Sequence, residues 1–235
     1  MGCSIGDKRI NHILYADDLI LVTPLVKSLQ NQIDTCKTYF TKHYLTVNAE
    51  KTKVMVVKPK RYLEYGDPEL YIDKARLEVV QNIKYLGMHI NNELRDDEHI
   101  TSLYRGQCMR GNLLLRNFHM CDVDVKVHLF KSFCTSLYSI PLALSSKKEN
   151  INKLRVCYNN SLRFFMNINR FCSITEQFVS LGIPTFNELL RKTVASLYLR
   201  LTKTNNKLLE AVFNSTFFRN TTTFLKWSDL IFTIT

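Results

Sequence analysis

The chain has 235 residues, of which 46% are hydrophobic and 23% charged, as is ordinary for a soluble protein with a packed core. No apolar run approaches the roughly 20 residues of a membrane helix, and no secretory h-region follows Met1. The seven scattered cysteines contain no C-x-x-C pair, so the sequence indicates neither a zinc site nor a disulfide framework. We therefore expect an intracellular protein, nuclear or cytoplasmic, with no membrane partner.

The net charge of +11 is distributed unevenly along the chain. Residues 1–100 hold 14 basic and 14 acidic side chains, whereas residues 101–235 hold 18 basic and 7 acidic ones. This asymmetry predicts that the second part faces a polyanion. Acidic lipid would also satisfy the charge, but no other feature is typical of a membrane surface, so nucleic acid is the favoured partner.

The first hundred residues alternate short apolar runs with turns, which predicts an α+β fold with an antiparallel sheet. Residues 8–24 are predicted to form a hairpin with Asp17 and Asp18 in its turn, where flanking hydrophobic strands give the carboxylates little water. Residues 28–44 have the spacing of an amphipathic helix that Ser28 could cap. Further strands are predicted at residues 45–47, 54–57, 70–72, 77–80 and 85–90, with a turn-rich loop at 58–69.

Helical spacing dominates after residue 91. Helices are predicted at residues 96–117, 123–143, 150–168, 186–201 and 208–218. The clearest interruption is Gly182-Ile183-Pro184. Because charge and periodicity both change near residue 95, we predict two domains, residues 1–95 and residues 96–235.

The paired carboxylates of Asp17 and Asp18 need a physical explanation. Two adjacent negative charges repel each other, and a divalent cation relieves that repulsion. In nucleotidyl transfer, two Mg²⁺ ions roughly 3.5–4 Å apart activate the attacking 3′ hydroxyl and stabilise the leaving pyrophosphate. Hard oxygen ligands on a stiff hairpin suit that ion. The alternative is a solvated turn, since aspartate is common in turns.

Three motifs follow one another in the first part of the chain. They are residues 12–21 (HILYADDLIL), residues 44–55 (YLTVNAEKTKVM) and residues 85–90 (YLGMHI). In this order and spacing they resemble the catalytic hairpin, the following palm motif and the primer grip of non-LTR (LINE-type) retrotransposon reverse transcriptases. The resemblance implies that residues 1–95 are the C-terminal part of a polymerase palm. It also implies that residues 96–235 form a mainly α-helical thumb and post-thumb region.

The resemblance also implies roles for the residues of the first motif. Asp17 would be the metal-ligating carboxylate and Asp18 its neighbour that supports the metal site. Tyr15 would lie under the primer terminus, and Ala16 would let the backbone approach closely. The implied cofactor is Mg²⁺, for which Mn²⁺ could substitute, and the implied partners are an RNA template, a DNA primer and a dNTP.

The two later motifs carry implied roles as well. Lys51 would be the cation near the leaving pyrophosphate and could donate a proton to it, whereas the alternative is a solvated loop lysine. Tyr85, Leu86 and Gly87 would position the primer, with Gly87 allowing a tight turn. For these three residues the alternative is an ordinary strand and turn in the core.

Basic and aromatic residues recur together on the predicted helices of the second part. Arg105, Arg110 and Arg116 begin the series and are candidate nucleic-acid contacts. The series continues with Lys126, Lys131, Lys147, Lys148, Lys153, Arg155, Arg163 and Arg170, and its aromatic members are Tyr104, Phe118, Phe130, Tyr158, Phe164 and Phe165. Cations contact phosphates and aromatic rings stack on bases. The alternative is an aromatic core with a solvated cationic face.

The family's palm needs a further aspartate upstream of this hairpin, together with the fingers. Only sixteen residues precede Asp17, and the one carboxylate among them, Asp7, lies in a polar turn. We therefore expect a fragment of an RNA-directed DNA polymerase that is inactive alone. The alternatives are a non-catalytic basic nucleic-acid-binding remnant and a decayed open reading frame.

Overall fold

The computed structural model of the chain describes residues 2–57 and 66–232. Most of the predicted loop at 58–69 lies outside the described residues. The described part combines helices with short, mostly antiparallel strands, which confirms the predicted α+β class. It divides into two compact units, and the predicted domain ranges stay a prediction. The first unit comprises Met1–Lys84, Asn91–Leu94 and Asn205–Arg219, and the second comprises Tyr85–Ile90, Arg95–Thr204 and Asn220–Thr235.

The strands are short and the helices longer. The strands are β1 Cys3–Ile5, β2 Lys8–Ile10, β3 His12–Tyr15, β4 Asp18–Leu21, β5 Lys53–Val54, β6 Tyr71–Ile72, β7 Ala75–Arg76, β8 Glu78–Val79, β9 Asn82–Tyr85 and β10 Met88–Asn91. The helices are α1 Val26–Lys42, α2 Asp97–Phe118, α3 Val123–Cys134, α4 Lys148–Phe165, α5 Ile174–Ser180, α6 Phe186–Thr202, α7 Lys207–Asn214, α8 Thr216–Arg219 and α9 Thr222–Phe232, with a 3-10 helix at Ile140–Ala143. Among the described residues, no helix is both long and apolar enough to span a bilayer.

Two tight hairpins open the first unit. β1 pairs antiparallel with β2, and β3 with β4, each across a two-residue loop. In the first loop Gly6 has a φ of 58°, in the left-handed region that glycine enters without steric cost. The backbone amide of Val22 donates to the carbonyl of Asn11 at 2.8 Å, which extends the β3–β4 ladder by one hydrogen bond.

A small apolar core holds α1 against the short strands that follow it. Its buried members are Ile33, Val54, Leu70, Ile72 and Leu77. These residues come from one helix and from segments around β5, β6 and β8, so burial rather than a continuous sheet brings the segments together.

The side chain of Gln30 fastens α1 to β6. Its amide nitrogen donates to the carbonyl of Tyr71 at 2.9 Å, and its amide oxygen accepts the backbone N–H of Tyr71 at 2.9 Å. The side-chain amide therefore satisfies the same two backbone groups that a neighbouring strand would satisfy. This pair of bonds fixes the position of β6 on the helix.

The strands of the described residues form five separate two-stranded sheets, not the one antiparallel sheet that was predicted. One of these pairs, β5 with β8, is parallel. Residues 45–47 are not a strand, and the backbone turns just before them, where Tyr44 has a φ of 58°. The predicted cap of α1 is also wrong, since the helix begins at Val26 and Ser28 lies inside it.

The second unit is built around a close crossing of α2 and α4. A Cβ atom at Gly111 would lie 2.6 Å from Ser161 Oγ, so only glycine fits at this point of α2. Beside the crossing, the buried ring of Tyr158 stacks on Phe178 and meets Phe130 edge-on, with ring centroids 5.3 and 5.4 Å apart. The Tyr158 hydroxyl donates to the carbonyl of Pro184 at 2.8 Å, which satisfies the one polar atom of this core residue.

Local signals determine where several helices of this unit begin. α6 starts with a capping box, in which Thr185 Oγ1 accepts the amide of Glu188 and the Glu188 carboxylate accepts the amide of Thr185. Ser173 caps α5 in the same way by accepting the amide of Glu176. The predicted interruption before α6 is confirmed by a φ of 60° at Gly182.

The predicted helices of the second part are confirmed in outline, with three corrections. The helix predicted over 123–143 ends at Cys134, and a separate 3-10 helix follows at Ile140–Ala143, where Pro141 cannot continue an α-helix. The segment predicted over 208–218 is two helices, α7 and α8. Two helices, α5 and α9, were not predicted.

Candidate active site and nucleic-acid interface

The predicted metal-binding carboxylates lie at the tip of the second hairpin. Tyr15 pairs with Asp18 across the strands, so the two loop residues are Ala16 and Asp17. The turn is therefore one residue earlier than predicted, and Asp18 is the first residue of β4. Both carboxylates are exposed and consecutive, which places two oxygen-rich groups side by side at the end of a short ladder.

Ala16 adopts a backbone conformation that costs energy. Its φ is 52°, in the left-handed region that favours glycine. The positive φ at the first loop position and not at the second matches a type II′ hairpin turn. A non-glycine residue held in such a region costs on the order of 1–3 kcal/mol, and this kind of strain concentrates at functional sites.

Within the described part of the chain, Asp17 and Asp18 make no ion pair or side-chain hydrogen bond. The nearest acidic neighbour in sequence, Asp7, by contrast binds Lys8 at 2.5 Å. The pKa of Asp7 is lowered, first by the hydrogen bond from Lys8. The Asp17–Asp18 turn therefore keeps its full ligand capacity, with no cation of the same hairpin neutralising it.

The donor set of the turn fits Mg²⁺ as one part of a larger site. The described residues contain no group of three or more His, Cys, Asp or Glu side chains that could hold a metal by themselves. Mg²⁺ nevertheless binds proteins through only one or two carboxylates and completes its octahedron with waters and substrate phosphates. Asp17 and Asp18 supply such a pair of hard oxygen ligands, so these two residues would hold the ion.

The strand that precedes the turn exposes its apolar side chains. In β3, Ile13, Leu14 and Tyr15 are 44%, 61% and 63% exposed. β4 is the only strand paired with β3 in the described residues, so no strand is hydrogen-bonded along the other edge of β3 there. The expectation that hydrophobic strands keep water from the carboxylates is therefore wrong for this structure. The same exposure leaves the Tyr15 ring accessible.

Lys51 lies in a tight polar turn of the first unit. Asn48 organises this turn, because its side-chain oxygen accepts the amide of Lys51 at 3.0 Å and its carbonyl accepts the hydroxyl of Thr52 at 2.8 Å. The Lys51 side chain is exposed. Its predicted role near the pyrophosphate stays a prediction.

The predicted primer-positioning residues form the tip of the β9–β10 hairpin and group with the second unit. Leu86 and Gly87 are the loop residues, with φ values of 46° and 82°, as in a type I′ turn. Leu86 projects into solvent, whereas the hydroxyl of Tyr85 is buried and has no hydrogen-bond partner among the described residues. A glycine in this turn is required for conformational reasons, and the role in primer binding stays a prediction.

The three predicted arginines of α2 do not share one face. Arg105 and Arg116 are both exposed and belong to a stripe spaced four, three and four residues apart, with Met109 and Asn112 between them. They are eleven residues apart, which is about 16 Å along a helix. Arg110 lies on another face, half-buried, and donates to the side chain of Gln107 at 3.1 Å.

Three of the six predicted stacking aromatics of this unit are core residues. Phe130, Tyr158 and Phe165 are almost completely buried, which confirms the core alternative for them. Tyr104 and Phe164 are exposed and line the same cavity of about 550 Å³ between α2 and α4. Sequence reasoning did not separate these two groups.

Several predicted cations of this unit have partners within the protein, and Arg163 and Lys126 are two examples besides Arg110. The guanidinium of Arg163 donates to the carbonyls of Asn169 and Cys172, at 2.5 and 3.2 Å, and so closes the loop after α4. The ammonium of Lys126 lies 5.8 Å from the ring centre of Phe165. Both cations therefore make contacts within the protein that do not depend on nucleic acid.

Comparison with known proteins agrees with the motif order. Residues 3–90 match the family model described as reverse transcriptase (RNA-dependent DNA polymerase). Over 206 residues the chain is 24% identical to the RNA-directed DNA polymerase from mobile element jockey of Drosophila funebris. That match covers 83% of this chain and 22% of the relative, so the chain spans about a fifth of the relative's length. No solved structure matches the chain.

Proposed function

We propose that this chain is part of a reverse transcriptase of the LINE type, and that it supplies part of a polymerase active site and part of its nucleic-acid grip. The observation that carries the proposal is the exposed Asp17–Asp18 turn on a two-stranded hairpin inside the family match. The comparisons favour this function over a non-catalytic basic nucleic-acid-binding remnant or a decayed open reading frame.

The chemistry proposed for the first unit is nucleotidyl transfer from a dNTP to a primer. When bound, Mg²⁺ supplies the charge that activates the primer 3′ hydroxyl and stabilises the leaving pyrophosphate. The carboxylates of Asp17 and Asp18 lie on consecutive residues, and within the described part of the chain neither accepts a side-chain hydrogen bond that would compete with an ion. The rigid two-residue loop fixes their spacing, because Tyr15 and Asp18 are locked in register.

Two further exposed side chains of the first unit would orient the substrates. The exposed ring of Tyr15 offers an apolar surface beside the carboxylates, on which a terminal primer nucleotide can rest. Lys51 presents an ammonium from a turn whose backbone is fixed by Asn48, and such a cation suits the pyrophosphate.

The role proposed for the second unit is binding of an RNA template and a DNA primer. The Arg105–Arg116 stripe supports this role because exposed cations on one face of a rigid helix contact phosphates regardless of sequence. The excess of basic over acidic residues after residue 100 is consistent with it.

Primer extension tests the proposal directly. In a full-length polypeptide that contains these residues, Asp17→Asn is expected to lower Mg²⁺-dependent extension of a DNA primer on an RNA template by about 10³-fold or more. Asp7→Asn is the matched control, because Asp7 is an exposed hairpin carboxylate paired with Lys8. Residues 1–235 by themselves are expected to give no extension. Equal activity of the Asp17 and Asp7 variants would show that the proposal is wrong.

A second measurement does not depend on activity. Mn²⁺ titrated into residues 1–235 is expected to broaden the amide NMR signals of residues 16–18 before those of other hairpins. Asp17→Asn together with Asp18→Asn should abolish this broadening, whereas Asp7→Asn should leave it unchanged. Broadening that persists in the double variant would place the ion elsewhere.

A further inference from the structure

The crossing of α2 and α4 brings two cysteines together. Gly111 allows the helices to approach until Ser161 lies against its Cα. Cys108 stands one turn before Gly111, and Cys157 one turn before Ser161, so the two thiols meet beside the crossing. Their Sγ atoms are 3.0 Å apart, which is a direct contact and about 1 Å more than a disulfide bond.

The two thiols differ in their access to solvent. Cys108 is partly exposed and lines the cavity of about 550 Å³ between the helices, together with Tyr104 and Phe164. Cys157 lines the same cavity but is only 8% exposed, and its Sγ lies 4.0 Å from the carbonyl of Tyr104. A small oxidant that enters the cavity therefore meets Cys108 first.

We propose that Cys108 and Cys157 form an oxidative modification site, at which a peroxide converts the two thiols into a disulfide that joins α2 to α4. The inference rests on the packing of the second unit and is independent of the polymerase function proposed above. The pair differs from the other cysteines of the described residues, which are Cys3, Cys36, Cys121, Cys134 and Cys172 and which have no thiol contact.

The reaction balances with hydrogen peroxide as the oxidant. The Cys108 thiolate attacks one peroxide oxygen, the O–O bond breaks, and a sulfenic acid and hydroxide form, the hydroxide taking the thiol proton to give water. The sulfur of Cys157 then attacks the sulfenic sulfur. The S–O bond breaks, and the departing hydroxyl takes the Cys157 proton to give a second water. Two thiols and one peroxide thus give one disulfide and two waters.

The environment of the pair supports this order of steps. Burial, followed by the interaction with Cys108, raises the pKa of Cys157 to about 12, so Cys157 stays a thiol at neutral pH. A thiol held in that state is a poor first nucleophile toward a peroxide but is positioned to trap a sulfenic acid at contact distance. The second step is therefore expected to accelerate as the pH rises.

The cross-link would connect positions 49 residues apart in sequence. A disulfide that closes a loop of this length removes many conformations from the unfolded chain and so favours the folded state. The folded state has little to rearrange, since α2 and α4 already touch at Gly111 and Ser161. Oxidation should consequently raise the midpoint temperature of the second unit by about 5–10 °C.

Peptide mapping of the full chain tests the proposal. Reduced protein is treated with one equivalent of hydrogen peroxide, alkylated and digested without reductant. The expected result is a Cys108–Cys157 peptide as the main cross-link, together with the rise in midpoint temperature and its reversal by dithiothreitol. Cys108→Ser should abolish all three, whereas Cys172→Ser, a change at an exposed cysteine, should leave them intact.

Three outcomes would overturn the proposal. The first is oxidation of Cys108 to sulfinic or sulfonic acid without a cross-link, and the second is a main cross-link to Cys134 or Cys172. The third is a disulfide between two chains. The matching variant Cys157→Ala changes a buried side chain and can unfold the protein. In that case Cys108→Ser is the deciding variant, because Cys108 lies at the cavity surface and its replacement leaves the buried core unchanged.

Discussion

The two units place their functional candidates in opposite settings. In the first unit the candidates Asp17, Asp18 and Lys51 are exposed at turns, and the buried core has five members among the described residues. In the second unit half of the candidate aromatics belong to the core, whereas Arg105, Arg116 and most of the other candidate cations lie at the surface. Chemistry in the first unit can therefore be altered without unfolding, whereas many changes in the second unit alter stability first.

The largest effect is expected in the aromatic core of the second unit. Tyr158→Ala removes the stacked ring and the hydrogen bond to Pro184, and should lower the free energy of unfolding by about 4 kcal/mol. The measurement is urea denaturation followed by circular dichroism. Tyr138→Ala is the control, since Tyr138 is exposed, and should change stability by less than about 0.5 kcal/mol. Similar losses for the two variants would contradict the assignment of Tyr158 to the core.

The surface of the second unit is tested by nucleic-acid binding. Arg105→Ala combined with Arg116→Ala should weaken binding to an RNA–DNA duplex about tenfold at low salt and lower the slope of log K against log salt by about two. Fluorescence anisotropy over a series of KCl concentrations measures both quantities. Arg9→Ala combined with Arg76→Ala removes the same charge from the first unit and should have little effect. If the two double variants behave alike, binding depends on net charge and not on the α2 stripe.

In the first unit, loss of the hydrogen bonds that join α1 to β6 should lower the free energy of unfolding less than loss of the Tyr158 ring does in the second unit. Gln30→Ala removes both hydrogen bonds to the backbone of Tyr71 and should lower the free energy of unfolding by about 1 kcal/mol. Gln81→Ala, at an exposed position without such bonds, is the control. If Gln30→Ala lowered the free energy of unfolding by about 4 kcal/mol, as expected for Tyr158→Ala, the two units would not differ in this respect.

The smallest effect expected is a pH dependence from His99 in the second unit. Burial, and then the neighbouring charge of His89, lowers the pKa of His99, whose Nδ1 accepts the backbone N–H of His89 and whose Nε2 contacts Ser139 Oγ at 2.8 Å. The folded state therefore disfavours the protonated ring, so this stability is present above about pH 6.5 and is lost as the pH falls through the lowered pKa.

Urea denaturation at about pH 7 and pH 5 measures the His99 effect. His99→Gln should flatten the pH dependence, because glutamine does not titrate. His128→Gln, at an exposed histidine, should preserve it. A dependence that survives His99→Gln would assign it to another group.

The spacing of apolar residues predicted most of the long helices, and the helices that it missed have identifiable physical causes. α1, α2, α4 and α6 were predicted because their apolar residues repeat at helical spacing over seventeen or more residues. α5 was missed because it is short, although Ser173-x-x-Glu176 is a recognisable capping signal.

The candidate site was predictable in chemistry but not in exposure. The sequence pattern placed Asp17 and Asp18 at a turn, because polar residues separate two apolar runs. It could not show that Tyr15 pairs with Asp18 and moves the loop to Ala16, since register depends on backbone conformation. It also could not separate buried Tyr158 from exposed Phe164, because burial in a helix bundle depends on which face meets a neighbour.

The uncovered edge of β3 has a consequence for handling the protein. β3 presents Ile13, Leu14 and Tyr15 to water, and among the described residues no strand pairs along its other edge, so it is a template for adding another strand. Two copies of the chain that meet along this edge could pair in the manner of a growing cross-β stack. Aggregation should therefore increase with protein concentration. A charged residue in place of Leu14, as in Leu14→Lys, should reduce that aggregation.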